Sequence, residues 1–259
     1  MISKNKEMIK LSAVIITFNE EKNIGRCIES ILDIVDEIVV VDSFSEDRTK
    51  EICLNYGVNF YQIKWQGYSE SKNLANSKAT NDWILSLDAD EALSDKLKKS
   101  ILNIKKEGAN ACYSFNRLTN YCGTWVKFGG WYPDTKTRIF NRKDVSWTGL
   151  IHETLTSSKK LKTIQLDGDC LHYSYYTVQE HILQTKKFSP IAAEMLFQKG
   201  KKATFIKRFL SPISKFLRDY FIKLGFLHGY KGFQICIISG YATYIKYKKL
   251  KELDSIKRN

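Results

Sequence analysis

Short β-branched runs alternate with segments of helical period from Leu11 to about Ala111, and few folds accept that pattern. "LSAVIIT" (Leu11 to Thr17) leads into "NEEKNIGRCIESILDIV", where Ile24, Cys27, Ile28, Ile31 and Leu32 recur at helical spacing. "EIVVVD" follows as a second buried strand, completing a β-α-β unit. "SEDRTKEICLNYG" repeats the helical pattern with Gly57 as its stop, "VNFYQI" reads as a strand, "SESKNLANSKA" as a helix and "DWILSLD" as a strand. Near-continuous apolar strands separated by helices imply a mainly parallel sheet covered on both faces, an α/β fold. Ligands bind such sheets at the carboxyl ends of strands. Thr17, Asp42 and Asp88 all stand at such ends, so distant positions converge on one crevice.

From Ala111 to Tyr176 the texture changes to aromatic, β-prone runs punctuated by Gly and Pro: "ACYSFNRLTNYCGTWV", "GGWYPDTKTRIFNR", "VSWTGLIHETL" and "CLHYSYY". An antiparallel extension of the sheet carrying an acceptor-facing subsite is expected there, with Trp125, Trp131 and Trp147 as stacking faces for sugars or as core. After Thr177 the pattern is helical. Phe205, Phe209, Ile213, Phe216, Leu217, Tyr220 and Leu224 form an apolar stripe, with Lys207, Arg208, Lys215 and Arg218 largely off it. Pro212 is expected to break this run into two helices. The expected division is a catalytic domain over 1–178, with halves 10–110 and 111–178, and a basic amphipathic helical region over 179–259.

Charge is concentrated at the end of the chain. From Lys201 to Asn259 there are 14 Lys and Arg against 3 Asp and Glu, an excess of 11 in a chain whose total is +13. A polarised basic region suggests an anionic surface as partner, a membrane face or nucleic acid. The 259 residues, 43% hydrophobic, can supply a real core. The six cysteines have no C-x-x-C pair, which argues against a zinc knuckle or a disulfide framework. The first residues, "MISKNKEMIK", lack the apolar stretch of a secretory signal, and no run of about 18 apolar residues spans a bilayer. A cytoplasmic protein, peripheral at the inner face of the membrane, is expected.

The stretch "NDWILSLDADEAL" ends a buried run in Asp88, Asp90 and Glu91. Ionised carboxylates are costly to desolvate, so the cluster must hold something. An Asp-x-Asp at a strand end suits Mg2+ or Mn2+, hard cations that bind through one or two carboxylates plus substrate phosphates. Alternatively, Asp90 and Glu91 merely favour the start of a helix near Ser94.

"AVIITFNEEKNIGRCIESI", "IVVVDSFSEDRTKEIC", "GYSESKNLANSKATNDWILSLDADEAL" and "VSWTGLIHETL", in this order, resemble glycosyltransferase family 2, whose nucleotide-sugar-binding fold is called GT-A. The resemblance is to the branch that adds a β-1,4-linked glucose or similar sugar to the inner core of bacterial lipopolysaccharide. It covers Leu11 to Tyr176 strongly and the helical tail loosely. It implies that Thr17, Asn19 and Glu20 meet the nucleotide, and that Asp42 reads the uracil edge by accepting from its N3–H. Ser43 stands where many relatives carry a second Asp. Lys72 and Asn73 fall where the family places groups near the diphosphate, and Asp88 and Asp90 match its metal-binding pair. Taken singly, a helix cap for Asn19, turn chemistry for Asp42 and a solvated face for Lys72 are equally good accounts.

Inverting transfer needs a base for the acceptor hydroxyl, with the metal stabilising the departing diphosphate. Glu153 in "GLIHETL" is the first candidate by the branch's His-Glu pair, and Asp134 in "GGWYPD" the second. "IHETL" is not H-E-x-x-H, so a zinc protease is excluded. His172 in "CLHYSY" is either a further metal ligand or a hydrogen-bonded structural histidine. The expected partners are a UDP-sugar, a lipid-linked saccharide acceptor and an anionic membrane surface contacted by the tail, with no nucleic acid. A sugar nucleotidyltransferase would need a glycine-rich basic loop where "TFNEEKN" is acidic. A non-enzymatic RNA- or membrane-binding protein would leave the Asp-x-Asp unexplained.

Overall fold

A computed structural model describes residues 8–149 and 154–256. The chain forms two compact units, one reaching Arg117 and resuming over Asp134–His172, the other made of Leu118–Pro133 and the chain from Tyr173 onward.

The first unit is built from β1 (Leu11–Thr17), α1 (Ile24–Glu29), β2 (Glu37–Asp42), α2 (Thr49–Asn55), β3 (Asn59–Gln62), α3 (Tyr68–Lys78), β4 (Trp83–Asp88), β5 (Glu91–Leu93) and α4 (Asp95–Glu107). The chain continues through β6 (Cys112–Tyr121), β7 (Thr124–Val126), β8 (Thr135–Asn141), β9 (Ser146–Thr148), β10 (Thr154–Thr156) and β11 (Thr163–Tyr175). The sheet runs β3-β2-β1-β4-β8-β6-β11-β5. β1 pairs in parallel with β2 and β4, and β2 with β3, whereas β8 joins β4 antiparallel and β5 joins β11 antiparallel. A mainly parallel half with an antiparallel extension is thus observed as expected.

Alternation along β1 explains why the sheet is buried on both sides. Ala13 and Ile15 face Ile24, Cys27 and Ile28 of α1 and Leu97 and Ile101 of α4, while Val14 faces Ala75 and Ala79 of α3. Gly168 lets β11 pass α4 closely: its φ is 102°, and a Cβ there would collide with the Leu97 backbone. Register then sets the site. Thr17 pairs with Asp42 and Ile16 with Asp88, so the carboxyl ends of three strands lie side by side.

An ionic cluster ties β4, β5, β8 and α3 together beneath those ends. The Arg138 guanidinium lies 2.8 Å from Asp88 and 2.7 Å from Glu91, and Lys72 lies 3.0 Å from the other Asp88 oxygen. Glu91 is fully buried, and its second oxygen accepts from the Asp88 backbone N–H at 3.0 Å. Arg117 stands 3.6 Å from Glu91 and 2.8 Å from Asp134.

The second unit holds β7, which pairs with the end of β6, then α5 (Val178–Gln198), α6 (Phe205–Leu217), a π-helical turn (Arg218–Ile222), a 3₁₀ turn (Gly225–His228) and α7 (Gly229–Ile256). Thr177 caps α5 and Glu180 returns the bond, a capping box. Pro212 does not divide the tail as expected, because α6 runs through it. The missing N–H costs one helical bond, but α7 packs against this point: Gly240 admits the Pro212 carbonyl where a Cβ would stand only 3.1 Å away. The expected stripe also splits. Phe216 stacks on Tyr220 and meets Phe233 of α7, and Phe209 meets Tyr244, while Ile213, Leu217 and Leu224 are exposed. No helix among the described residues is long and apolar enough to cross a membrane.

His181 of α5 is buried among Tyr121, Trp131 and Tyr175, with Nδ1 3.3 Å from the Tyr121 hydroxyl. Burial pulls its pKa from 6.5 to about 4. The unfolded chain therefore takes up this proton below about 6.5 while the folded unit resists until about 4, and acidification through that window removes stability. The melting temperature is expected to fall from pH 6.5 to 4, and His181→Phe is expected to flatten that slope. An unchanged slope in the variant would assign the acid sensitivity elsewhere.

Candidate active site

The turn that follows β1 is pinned to the turn that follows β2. Asn19, at φ 54°, accepts from the Glu46 N–H at 2.8 Å through its side-chain oxygen and donates its own backbone N–H to the Ser45 hydroxyl oxygen at 2.8 Å. The Glu20 N–H donates to Thr49 at 2.8 Å. Asp42, fully buried, accepts from the Ser45 N–H at 2.9 Å, from the Ser45 hydroxyl and from Gln62 at 3.1 Å. Its carboxylate is committed to holding the turn, the second of the accounts open from sequence. Thr17 is buried at the end of β1, and its hydroxyl has no hydrogen-bond partner among the described residues. A buried hydroxyl without a partner is costly, and a polar ligand group at the strand ends would satisfy it.

The same turn geometry presents two aromatic rings that sequence patterning did not single out. Phe44, two residues past Asp42, sits at φ 62° with its side chain 55% exposed, and Phe18 follows Thr17 equally exposed. A bulky residue in the left-handed region costs about 1–2 kcal/mol, which points to use rather than packing.

Asp88 and Asp90 are treated differently although they are two residues apart. Burial alone would raise the Asp88 carboxyl, but the charges of Arg138 and Lys72 and their hydrogen bonds hold it well below the ordinary range. Both of its oxygens face cations. Asp90 instead meets His172, Oδ2 to Nε2 at 3.1 Å, because β11 pairs with β5 in the register His172 to Glu91. Burial would raise Asp90 and lower His172, yet their mutual attraction outweighs it, leaving Asp90 below and His172 above its ordinary value.

Glu20 completes this acidic end. Its pKa is raised to about 7, first by burial, with repulsion from Asp90 and Asp47 adding to it and the Asn23 hydrogen bond and His172 opposing it. Its position is thus set by burial first and by the neighbouring carboxylates second.

A carboxylate oxygen and an imidazole nitrogen in contact form a donor pair that suits a divalent cation, and Asp90 and His172 would hold it. Such a cation takes the rest of its shell from phosphate oxygens and water. Among the described residues no group of three His, Cys, Asp or Glu side chains is arranged to enclose a metal by protein alone.

The other expected residues have specific places. Lys72, 2% exposed, lies 3.0 Å from Asp88 and 4.9 Å above the Trp147 ring. Asn73 donates to the Trp147 carbonyl at 2.9 Å and accepts its N–H at 2.8 Å, so its amide clips α3 to β9. Trp147 is buried against Phe140, a core position. Asp134 lies between Arg117 at 2.8 Å and Lys136 at 2.9 Å. Burial would raise its carboxyl, but the hydrogen bond of Lys136 and the charges of Arg117 and Lys136 lower it overall. Glu153 lies outside the described residues. Arg138 and Arg117 were missed from sequence. The available signal was a basic side chain at 138 beside Ile139 and Phe140 in a strand that is otherwise buried there.

Residues 12–164 match the family model described as glycosyl transferase family 2. An uncharacterized glycosyltransferase of Rickettsia typhi is 33% identical over 97% of this chain and 90% of its own length. The lipopolysaccharide core biosynthesis glycosyltransferase LpsC of Rhizobium meliloti is 27% identical over 96% of this chain and 94% of its own. Among solved structures, S. aureus TarS 1-349 aligns over 96% of this chain and 91% of that one at 15% identity, with a TM-score of 0.43. With its mixed sheet in the GT-A arrangement and a family match over more than half its length, this chain belongs to glycosyl transferase family 2.

Proposed function

We propose that the protein is an inverting glycosyltransferase that moves a hexose such as glucose from a UDP-sugar to a lipid-linked saccharide such as the lipopolysaccharide inner core. The observation that carries this reading is the meeting of Asp90 and His172 at the carboxyl ends of the strands. The relative from Rhizobium meliloti, named for lipopolysaccharide core biosynthesis, supports the acceptor class.

The nucleoside is taken by the β1 and β2 ends, where the Thr17 hydroxyl lacks a partner and Glu20 stands near the crevice rim. Mg2+ or Mn2+ bound between Asp90 and His172 would neutralise the leaving diphosphate. The acceptor hydroxyl attacks the anomeric carbon on the face opposite the diphosphate, forming one C–O bond as the other breaks, and Glu153 takes its proton. Asp134 is a weaker base, since two cations hold its carboxyl low and a base works best with a pKa near the working pH. Phe44 supplies a ring face for the nucleobase.

Purified protein with UDP-, GDP- and dTDP-sugars and Mn2+ is expected to release sugar selectively from one UDP-sugar. Asp90→Asn should lower that turnover by about 10²-fold or more with the fold retained, the several kcal/mol that metal-ion catalysis supplies. Metal-independent turnover that survives Asp90→Asn would overturn the reading. Glu153→Gln should slow transfer to acceptor by about 10²-fold while donor binding persists. An active Glu153→Gln beside a dead Asp134→Asn would exchange the two carboxylates.

Asp88→Asn is expected to behave differently, because it removes a negative charge that faces two buried cations, Arg138 and Lys72. It should cost about 3 kcal/mol of stability, the lower end for breaking a buried pair since Asp88 is itself 28% exposed. Denaturant titration checks this: equal midpoints for the Asp88 and Asp90 variants would contradict it.

Phe44→Gly should relieve the backbone and leave the melting temperature equal or higher. It should also raise the donor KM about tenfold with kcat little changed, the scale of one lost base-stacking contact. Phe44→Trp should restore the KM. A wild-type KM in the glycine variant would remove Phe44 from the donor site.

A further inference from the structure

Along α6 the structure exposes an apolar face that shares Ile213 and Leu217 with the stripe read from sequence and adds Ile206 and Leu210. Ile206, Leu210, Ile213 and Leu217 are between 46% and 64% exposed and fall within about 60° of one another around the helix. The ridge continues into Phe221 and Ile222 of the π-helical turn, both exposed. On α7, Tyr230, Ile237 and Tyr241 recur at helical spacing and are exposed too. Phe209 and Phe233, each partly exposed, join the two ridges through contacts to Tyr244 and Phe216 across the helix pair. Monomeric proteins rarely leave so continuous an apolar surface to water.

Charge selects the occupant. The expected basic face is largely spent inside the unit: Lys215 and Arg218 both bind the buried Asp219, and Arg208 lies over the rings of Phe209 and Tyr244. Lys207 remains exposed, about 90° around α6 from the centre of the ridge. The segment as a whole still carries an excess of 11 positive charges from Lys201 to Asn259. A second copy docked through this face would set that charge against itself, whereas an anionic leaflet complements it. The 13 residues of α6 span about 20 Å, too short to cross the roughly 30 Å of a bilayer core, so the helix lies in the plane.

We propose that the ridge of Ile206, Leu210, Ile213 and Leu217 inserts in plane into an anionic lipid surface, with Lys207 at headgroup level. This deepens the lipid-linked acceptor reading, since it confines enzyme and acceptor to one surface. The inserting element is the apolar ridge, and the charges serve attraction.

Co-sedimentation with phosphatidylglycerol/phosphatidylcholine vesicles, and with phosphatidylcholine alone, tests it. Wild-type protein is expected to bind the anionic vesicles and to keep part of that binding at high salt. The triple variant Leu210→Ser, Ile213→Ser, Leu217→Ser changes only exposed side chains and should lower partitioning at least about tenfold with its melting temperature unchanged. Lys207→Gln should lower only the salt-sensitive part. Wild-type partitioning by the serine variant would overturn the proposal. So would a concentration-dependent dimer that the serine variant disperses, in a protein that ignores vesicles. Donor hydrolysis without vesicles separates the two readings: vesicle binding without hydrolysis would support the docking face while sinking the transferase reading.

Discussion

The contact of the Arg138 guanidinium with Asp88 and Glu91 fixes the geometry on which the rest of the site depends. Three buried or half-buried charges in contact are a poor source of net stability, because desolvation costs offset much of their attraction. What they supply is position. Arg138 comes from the antiparallel extension, Asp88 from the parallel half and Glu91 from the short strand between them, so one guanidinium registers three strands. Lys72 adds the helix on the other face and completes the neutralisation of Asp88. With Asp88 held from both sides, the turn that follows β4 has one place to go, and it delivers Asp90 to His172.

This arrangement divides the acidic stretch into carboxylates that are spent and a carboxylate that is available. Asp88 and Glu91 face cations within the protein, and their charge is answered there. Asp90 faces an imidazole, a partner that can lose its proton and turn its lone pair to a metal. Glu20 lies close enough to Asp90 for the two to repel, although burial is the larger cause of its raised pKa. A cation brought in with a diphosphate would meet Asp90 and His172, while Asp88 stays paired with Arg138 and Lys72. The motif therefore has two roles within three residues, and the difference lies in which strand supplies the partner.

The sequence displayed the parallel half of the fold because each strand there is continuously apolar and each helix has a clear period. It also displayed the convergence of Thr17, Asp42 and Asp88, since strand ends were marked by the change from apolar to polar residues. The hydrogen-bond partners of individual side chains were not legible. Asp42 bonds Ser45 and Gln62 and Asn73 bonds the Trp147 backbone, and no local pattern reports a partner 74 positions away. Arg138 and Arg117 were hidden for the opposite reason: a basic side chain in a strand reads as an edge or a solvated face until the carboxylate it neutralises is located in three dimensions.

The tail shows the same limit in a helix. An apolar stripe read at 3.6 residues per turn assigns one buried face, but the apolar residues of α6 spread over an arc of about 140°, wider than one neighbouring helix covers. Phe209 and Phe216 turn to α7, and Ile206, Leu210, Ile213 and Leu217 are left outward. Packing decides between the faces, because aromatic rings meet across a helix pair that Gly240 lets approach closely at Pro212. The same close approach holds α6 together through its proline. A helix that is apolar on two sides has one side satisfied by its neighbour and requires a second apolar phase for the other. Beside a strongly basic segment, an anionic lipid surface is the phase we propose for it.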